Sequence, residues 1–310
     1  MNYGWIAGLV LFLQQNELPN SIITEESGKR IATMDRAQYS VQLIDVPIVA
    51  LDQLDRLMTE IEKKVYRKPV NASINDAGNI VREITGAKLD RQAFEKKFYD
   101  HYYGQGPLQF EVPQLAIYPN VDSEMLANIR VNPIGYYVTY FNPNNKNRFH
   151  NIGLAARAIN NYVVLPGKTF SFNEVVGIRT ATRGYKQAKV IVRGEYSEGI
   201  GGGICQISST LFNAVDRAGL QVIERYSHSR SVPYVPPGRD ATVNWGGPDF
   251  SFTNNYNQPI LIRAAALRGR IYVSISSSDV INYKPRHVPS VSETWPEEIH
   301  AGTDVGQPIP

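Results

Sequence analysis

The chain contains a single cysteine, Cys205, set immediately after Gly201-Gly202-Gly203. From Ile204 to Ala218 apolar side chains recur at Ile204, Ile207, Leu211, Ala214/Val215 and Ala218, the spacing of one helix face. Three glycines let the backbone turn tightly and offer its N–H groups to a ligand. A helix N-terminus adds partial positive charge, which favours a thiolate over a thiol. Cys205 lies off the apolar stripe, on the side shared with Ser208, Ser209 and Phe212, which predicts a reachable thiol. Free cysteine is also among the most buried residue types, and plain packing is the competing reading.

A nucleophilic thiol needs a base. His228 lies beyond the helix in Glu224-Arg225-Tyr226-Ser227-His228-Ser229-Arg230-Ser231, among polar residues and not in an apolar run. A turn and an adjoining strand can return it to the helix start, where an imidazole could deprotonate Cys205 and later protonate a leaving group. Asp240 is the first choice to hold that imidazole, and Glu224 is the alternative. Arg225, Arg230 and Arg239 form a cationic cluster able to grip carboxylates bidentately, or else a solvated face paired with Glu224 and Asp240. The backbone from Gly202 and Gly203 to Gln206, with Ser208 beside it, is the candidate for binding substrate or a developing oxyanion.

The rest of the composition narrows the classes. A chain of 310 residues, 43% hydrophobic and 20% charged, can bury two sizeable cores. A net charge of +3 is too mild to argue for nucleic acid. One cysteine rules out an internal disulfide and a Cys-rich zinc site, and the histidines lack metal-ligand spacing. No metal and no cofactor is expected. The apolar run Trp5–Leu13 is shorter than the roughly 20 residues of a spanning helix. Residues 1–21 read as an export signal or anchor remnant able to associate with a membrane, as a first buried element, or as a mis-assigned start.

The elements that must position these groups predict an α+β fold in two modules, each a small, mostly antiparallel sheet with packed helices. Residues 22–128 form the first. It has strands near 22–24 and 38–43, an amphipathic helix over 51–66, a hairpin around Asn75-Asp76-Ala77-Gly78, a helix over 91–102 capped by Asp90, and a strand over 109–118. Tyr99, Tyr102 and Tyr103 there are either a carbohydrate- or peptide-binding surface or a half-buried helix face. Residues 135–276 form the second, with a strand over 135–140, a polar loop over 142–148, a helix from Ile152 to Asn161, the Cys205 helix and a terminal hairpin. Residues 283–310 read as a proline-rich tail.

Three stretches of the second module carry a family resemblance: Gly201 to Ala214, Glu224 to Ser229, and Tyr234 to Val243, with Phe170-Ser171-Phe172-Asn173 and Gly184-Tyr185 fitting the earlier part. Together they resemble the VanW domain, and the first module is similar to the peptidoglycan-binding domain that often precedes it. The resemblance implies an extracytoplasmic, cell-wall or membrane-associated bacterial protein that acts on peptidoglycan, in a family named from glycopeptide-resistance clusters. It further implies a cysteine acyltransferase of the L,D-transpeptidase type, with Cys205 as nucleophile and His228 as the motif histidine. The Ser-His-Gly-Cys signature of the better-known L,D-transpeptidase fold is absent. A cell-wall cysteine peptidase or amidase, and a non-catalytic peptidoglycan-binding protein, are the alternatives.

Overall fold

A computed structural model of the chain describes residues 21–43, 46–104, 108–192 and 195–292. The apolar N-terminal run and the end of the proline-rich segment lie outside them. The described residues fall into two compact units, one comprising residues up to 72 with 82–120, the other 73–81 with those from 121 onward. Both are α+β with small, mostly antiparallel sheets, as the sequence predicts.

In the first unit, helix α1 (Leu51–Val65) buries Leu54, Leu57, Met58, Ile61 and Val65, the apolar positions three or four apart. Helix α2 (Arg91–Tyr102) starts where the Asp90 carboxylate accepts from Ala93 N–H at 3.0 Å. It buries Phe94, Phe98 and Tyr102 in the same core. Arg91 ties the two helices by donating to Glu62 at 3.0 Å and Asp55 at 2.8 Å. The sheet places Ser21–Glu26 between antiparallel Lys29–Asp35 and parallel Leu108–Glu111. The strand expected over 109–118 divides at Pro113, which lacks an N–H for the ladder. Its second half, Gln114–Ile117, pairs with Gly86–Leu89 instead.

The hairpin Ser73–Ile74/Ile80–Val81 belongs to the second unit and not the first. Asn161, at positive φ, explains this: its side-chain amide accepts from Ile74 N–H at 3.1 Å and donates to Ile74 C=O at 3.0 Å. Helix α3 (Ser123–Ile129) also falls in the second unit.

The second unit is organised by a four-stranded antiparallel sheet, ordered Asn132–Tyr140, Arg270–Ser277, Ile260–Leu267, Tyr162–Val164. Helix α4 (Lys146–Ile159) starts six residues before the expected Ile152, because Asn145 in the supposed polar loop caps it by accepting from Arg148 N–H. Helix α5 (Phe172–Val176) is a single short turn. The Cys205 helix is α6 (Ile204–Arg217). A second small sheet, Thr169–Ser171, Ser251–Thr253 and Gln221–Glu224, and the hairpin Gln187–Val192/Glu195–Ile200 complete the unit.

The segment expected to be a free tail begins as a packed strap. Ile281 and Val288 are buried, Arg217 donates to Val288 C=O at 2.7 Å, and Tyr137 Oη donates to Pro289 C=O at 2.8 Å. Among the described residues no helix is long and apolar enough to cross a membrane.

Candidate active site

Helix α6 explains how the site is assembled. Its apolar face packs as predicted, but no residue of the helix is exposed, and the polar side is buried too: Ser208, Ser209, Thr210 and Asn213 are all inaccessible. Cys205 on the same side is half-buried and lines a cavity. Burial of so many polar groups requires partners, since each one left unpaired costs about 1–3 kcal/mol. Thr210 finds Gln206 C=O and Thr139 Oγ1, and the segment 239–243 supplies the others. Ser208 Oγ donates to Ala241 C=O at 2.5 Å, Ser209 Oγ accepts from Ala241 N–H at 2.9 Å, and Asn213 Nδ2 donates to Arg239 C=O at 2.8 Å. The polar stripe is a docking track for the extended segment that carries Asp240.

That segment recruits the histidine. Thr242 N–H donates to Tyr226 C=O at 2.8 Å in an isolated antiparallel bridge. Two residues further along each chain, this register sets His228 beside Asp240. Asp240 Oδ2 accepts from both the backbone N–H and Nδ1–H of His228, each at 2.6 Å. Only 7% of the His228 side chain and 9% of that of Asp240 are exposed. With Nδ1 committed, Nε2 is the ring nitrogen left for Cys205, which lines the same cavity and whose Sγ lies 3.5 Å from Val243 C=O and 3.8 Å from Thr242 Oγ1. Glu224 does not reach the imidazole; its Oε1 lies 3.3 Å from Asp249 N.

The electrostatics favour a charged pair. Burial alone pushes the Cys205 thiol up. The hydrogen bond and charge of His228, with smaller help from Val243 and Thr242, outweigh burial and bring it below its ordinary 9.0. Burial likewise opposes the imidazolium, yet hydrogen bonds to Asp240 and Cys205 raise His228 to about 9. Asp240, resisted by burial but bonded to His228, stays below its ordinary carboxylate value. Each member of the pair thus favours the charged form of the other.

Gly203, at φ 107°, caps α6 in the left-handed region where glycine alone is unstrained, and a Cβ there would press on Arg148 and Ile152 at 3.0 Å. In this tight first turn Ile204 N–H bonds Gly201 C=O and Gln206 N–H bonds Gly203 C=O. The amides of Gly202, Gly203 and Cys205 have no acceptor among the described residues, and that of Cys205 adjoins the thiol. Gln206 is structural: its side chain accepts from Arg148 at 2.6 Å and donates to Tyr140 C=O at 2.8 Å. Gly202 packs so closely on the Ala188 and Lys189 backbone that a Cβ would sit 2.5 Å from the Lys189 carbonyl.

Cys205 and His228 open onto a cavity of about 790 Å³, a size suited to a peptide. Its walls come from the hairpin carrying Lys189 and Glu198, and from Arg148, Arg179 and Tyr234. Ile178, Ile200 and Trp245 stand exposed around it. The predicted arginine cluster is not here. Arg239 donates to Asn213 Oδ1 and Asp216 Oδ2, each at 2.7 Å, and lies over Phe212. Arg225 covers the same ring and bonds Ser227. Arg230 lines a small pocket behind His228. The cavity's cations are Arg148, Arg179 and Lys189, which carry no motif signal because they sit in separate elements. Among the described residues no cluster of His, Cys, Asp and Glu could hold a metal ion.

A helix that presents a lone thiol towards a loop-borne imidazole and carboxylate thus defines the second unit as an α+β domain of cysteine-centred type. Residues 147–276 match the family described as VanW like protein. The chain is 55% identical to an uncharacterized protein, YoaR, of Bacillus subtilis over 296 residues, covering 96% of this chain and 98% of that one. It is 31% identical over 115 residues to the vancomycin B-type resistance protein VanW of Enterococcus faecalis, covering 36% of this chain and 42% of that protein. The chain belongs to the VanW-like family. No solved structure matches it.

Proposed function

We propose that the protein is a cysteine acyltransferase of the cell envelope acting on peptidoglycan stem peptides. The observation that carries this reading is the buried chain Asp240–His228–Cys205, opening onto a peptide-sized cavity. Cys205 thiolate attacks a peptide carbonyl carbon; a C–S bond forms as the C–N bond breaks, and the imidazolium gives its proton to the departing amine. The Cys205 amide faces no other acceptor and stabilises the oxyanion. An amine from a second stem peptide then attacks the thioester, restoring a C–N bond and the thiolate, while His228 takes up the amine's proton. Asp240 acts as a positioning residue that fixes the imidazole tautomer. The relative whose name reports vancomycin resistance supports the assignment to cell-wall chemistry outside the cytoplasm.

The test is incubation of the protein with disaccharide-tetrapeptides followed by mass spectrometry. An acyl adduct on Cys205, or a cross-linked dimer, that is lost in Cys205→Ala supports the reading. No adduct and no product with any donor sinks it, and release of free acid in place of a dimer assigns hydrolysis.

A further inference from the structure

Among the described residues the second unit contains a cation whose end nitrogens find no hydrogen-bond acceptor. Arg179 enters the cavity from the loop after α5, its stem against Gly201, where a Cβ would lie 3.2 Å from that of Arg179. Its guanidinium sits 5.8 Å over the Phe172 ring. Both terminal nitrogens, Nη1 and Nη2, are buried and have no hydrogen-bond partner. Burying a guanidinium without a partner is costly, and native structures rarely leave one so.

The surroundings show why no internal partner exists. Asp249 acts on Arg179 through space, but its oxygens already accept from Ser171 Oγ at 2.5 Å, Asn173 N–H at 2.9 Å and Phe250 N–H at 2.7 Å. Tyr185, Arg183 and Cys205 are the other titratable groups that act on it. The Phe172 face and the Gly201 contact hold the side chain along the wall that leads to Cys205. Two parallel N–H donors fixed in this way match a carboxylate bidentately.

We infer that Arg179 is the receptor for a carboxylate of the peptide that occupies the cavity, so that the substrate class is a peptide bearing a free carboxylate beside the reacting carbonyl. This rests on the acyl-transfer reading for its substrate but not for its test. Arg148 is engaged with Gln206. Lys189 lies opposite Glu198 in the hairpin register. Arg179 is therefore the cavity cation with both end nitrogens uncommitted.

Binding is measured on the full chain carrying Cys205→Ala, which separates anion recognition from thiol chemistry. Three probes are titrated calorimetrically: Nα,Nε-diacetyl-L-Lys-D-Ala, its C-terminal amide, and diacetyl-L-Lys-D-Glu α-amide. The first carries a terminal carboxylate, the third only a side-chain one. A carboxylate probe is expected to bind about tenfold tighter than the all-amide probe, and Arg179→Gln is expected to erase the difference. Whichever carboxylate probe is preferred identifies the source of the anion. Equal binding of all three, no binding by any, or a preference that survives Arg179→Gln overturns the proposal. Arg179→Gln should leave the unfolding midpoint unchanged or higher, since it relieves an unpaired buried cation. A lowered midpoint with no change in selectivity would mark Arg179 as structural and reject the receptor role. An acyl-transfer failure with the carboxylate preference intact would reject the reaction and leave the receptor standing.

Discussion

Helices α1 and α6 are both amphipathic and of nearly equal length, yet they use their polar faces in opposite ways. In α1 the five buried residues are all apolar, while Asp52, Arg56 and Lys63 face solvent. In α6 the apolar face is buried and the polar face is buried as well, every serine, threonine and asparagine on it bonded to protein. The first arrangement requires only that one stripe be greasy. The second requires that each polar group meet a specific partner, and for Ser208, Ser209 and Asn213 those partners lie in the segment that brings Asp240, and through it His228, towards Cys205. Polar residues on a helix therefore carry function when the chain returns to cover them.

This contrast can be broken in several places. The largest effect is expected at the reacting groups: Cys205→Ala should abolish adduct formation, and Asp240→Asn should slow acyl transfer by about 10³–10⁴-fold with the fold retained. Single-turnover mass spectrometry checks both. If Asp240→Asn is as fast as the wild type, the register between Tyr226 and Thr242 has no bearing on the chemistry.

Next in size is the pH dependence of thiol alkylation. Removing the imidazole in His228→Ala leaves burial opposed only by the weaker Val243 and Thr242 contacts, so the thiol should titrate higher than in the wild type. The alkylation profile should then shift to higher pH and the rate at pH 7 should fall. An unchanged profile rejects the ion pair. The same pair has a signature in stability. His228 is raised from 6.5 to about 9, so its contribution is complete below pH 6.5 and fades as pH rises through 9. The gap in urea midpoint between wild type and His228→Ala should therefore narrow from pH 6.5 to pH 10.

Polar-track variants follow. Asn213→Ala strands the Arg239 carbonyl and removes the acceptor of Arg239 Nε, and should destabilise by about 2 kcal/mol while also shifting the thiol titration upward. Chemical denaturation and alkylation on one variant test both halves. The smallest effect belongs to the control: Lys63→Ala, on the solvent face of α1, should change stability by less than about 0.5 kcal/mol. If Lys63→Ala costs as much as Asn213→Ala, the contrast between the two helices fails.

Periodicity and capping made much of the architecture legible. The apolar spacing of α1, α2 and α6, the Asp90 cap and the terminal hairpin are local signals that the tertiary fold leaves intact. At the site, types and order pointed to Cys205, His228 and Asp240, because a thiol after a glycine turn and a histidine among polar residues stand out by themselves. What stayed hidden depends on distant partners. Asn145 reads as loop until Arg148 N–H is seen to need it. The polar side of α6 reads as surface until segment 239–243 covers it. Arg225 and Arg239 read as a carboxylate grip, but their attraction to the Phe212 face, and that of Arg239 to Asp216, takes them elsewhere. Arg179 has no neighbour in sequence that suggests a cavity.

The strap over residues 281–292 bears on where this unit can be cut. Its backbone lies so near the end of α6 that a Cβ on Gly219 would fall 1.9 Å from Lys284 C=O. Asp216 is shared between Arg286 on the strap and Arg239 on the catalytic side, at 2.9 and 2.7 Å. The family match stops at residue 276 and starts at 147, so an excised piece with those limits would lose this clasp, the strand Asn132–Tyr140 and the hairpin Ser73–Val81 together. The span of the family match is smaller than the compact unit that contains it. A portable fragment has to be chosen by its contacts, with the strap kept and the early hairpin carried along.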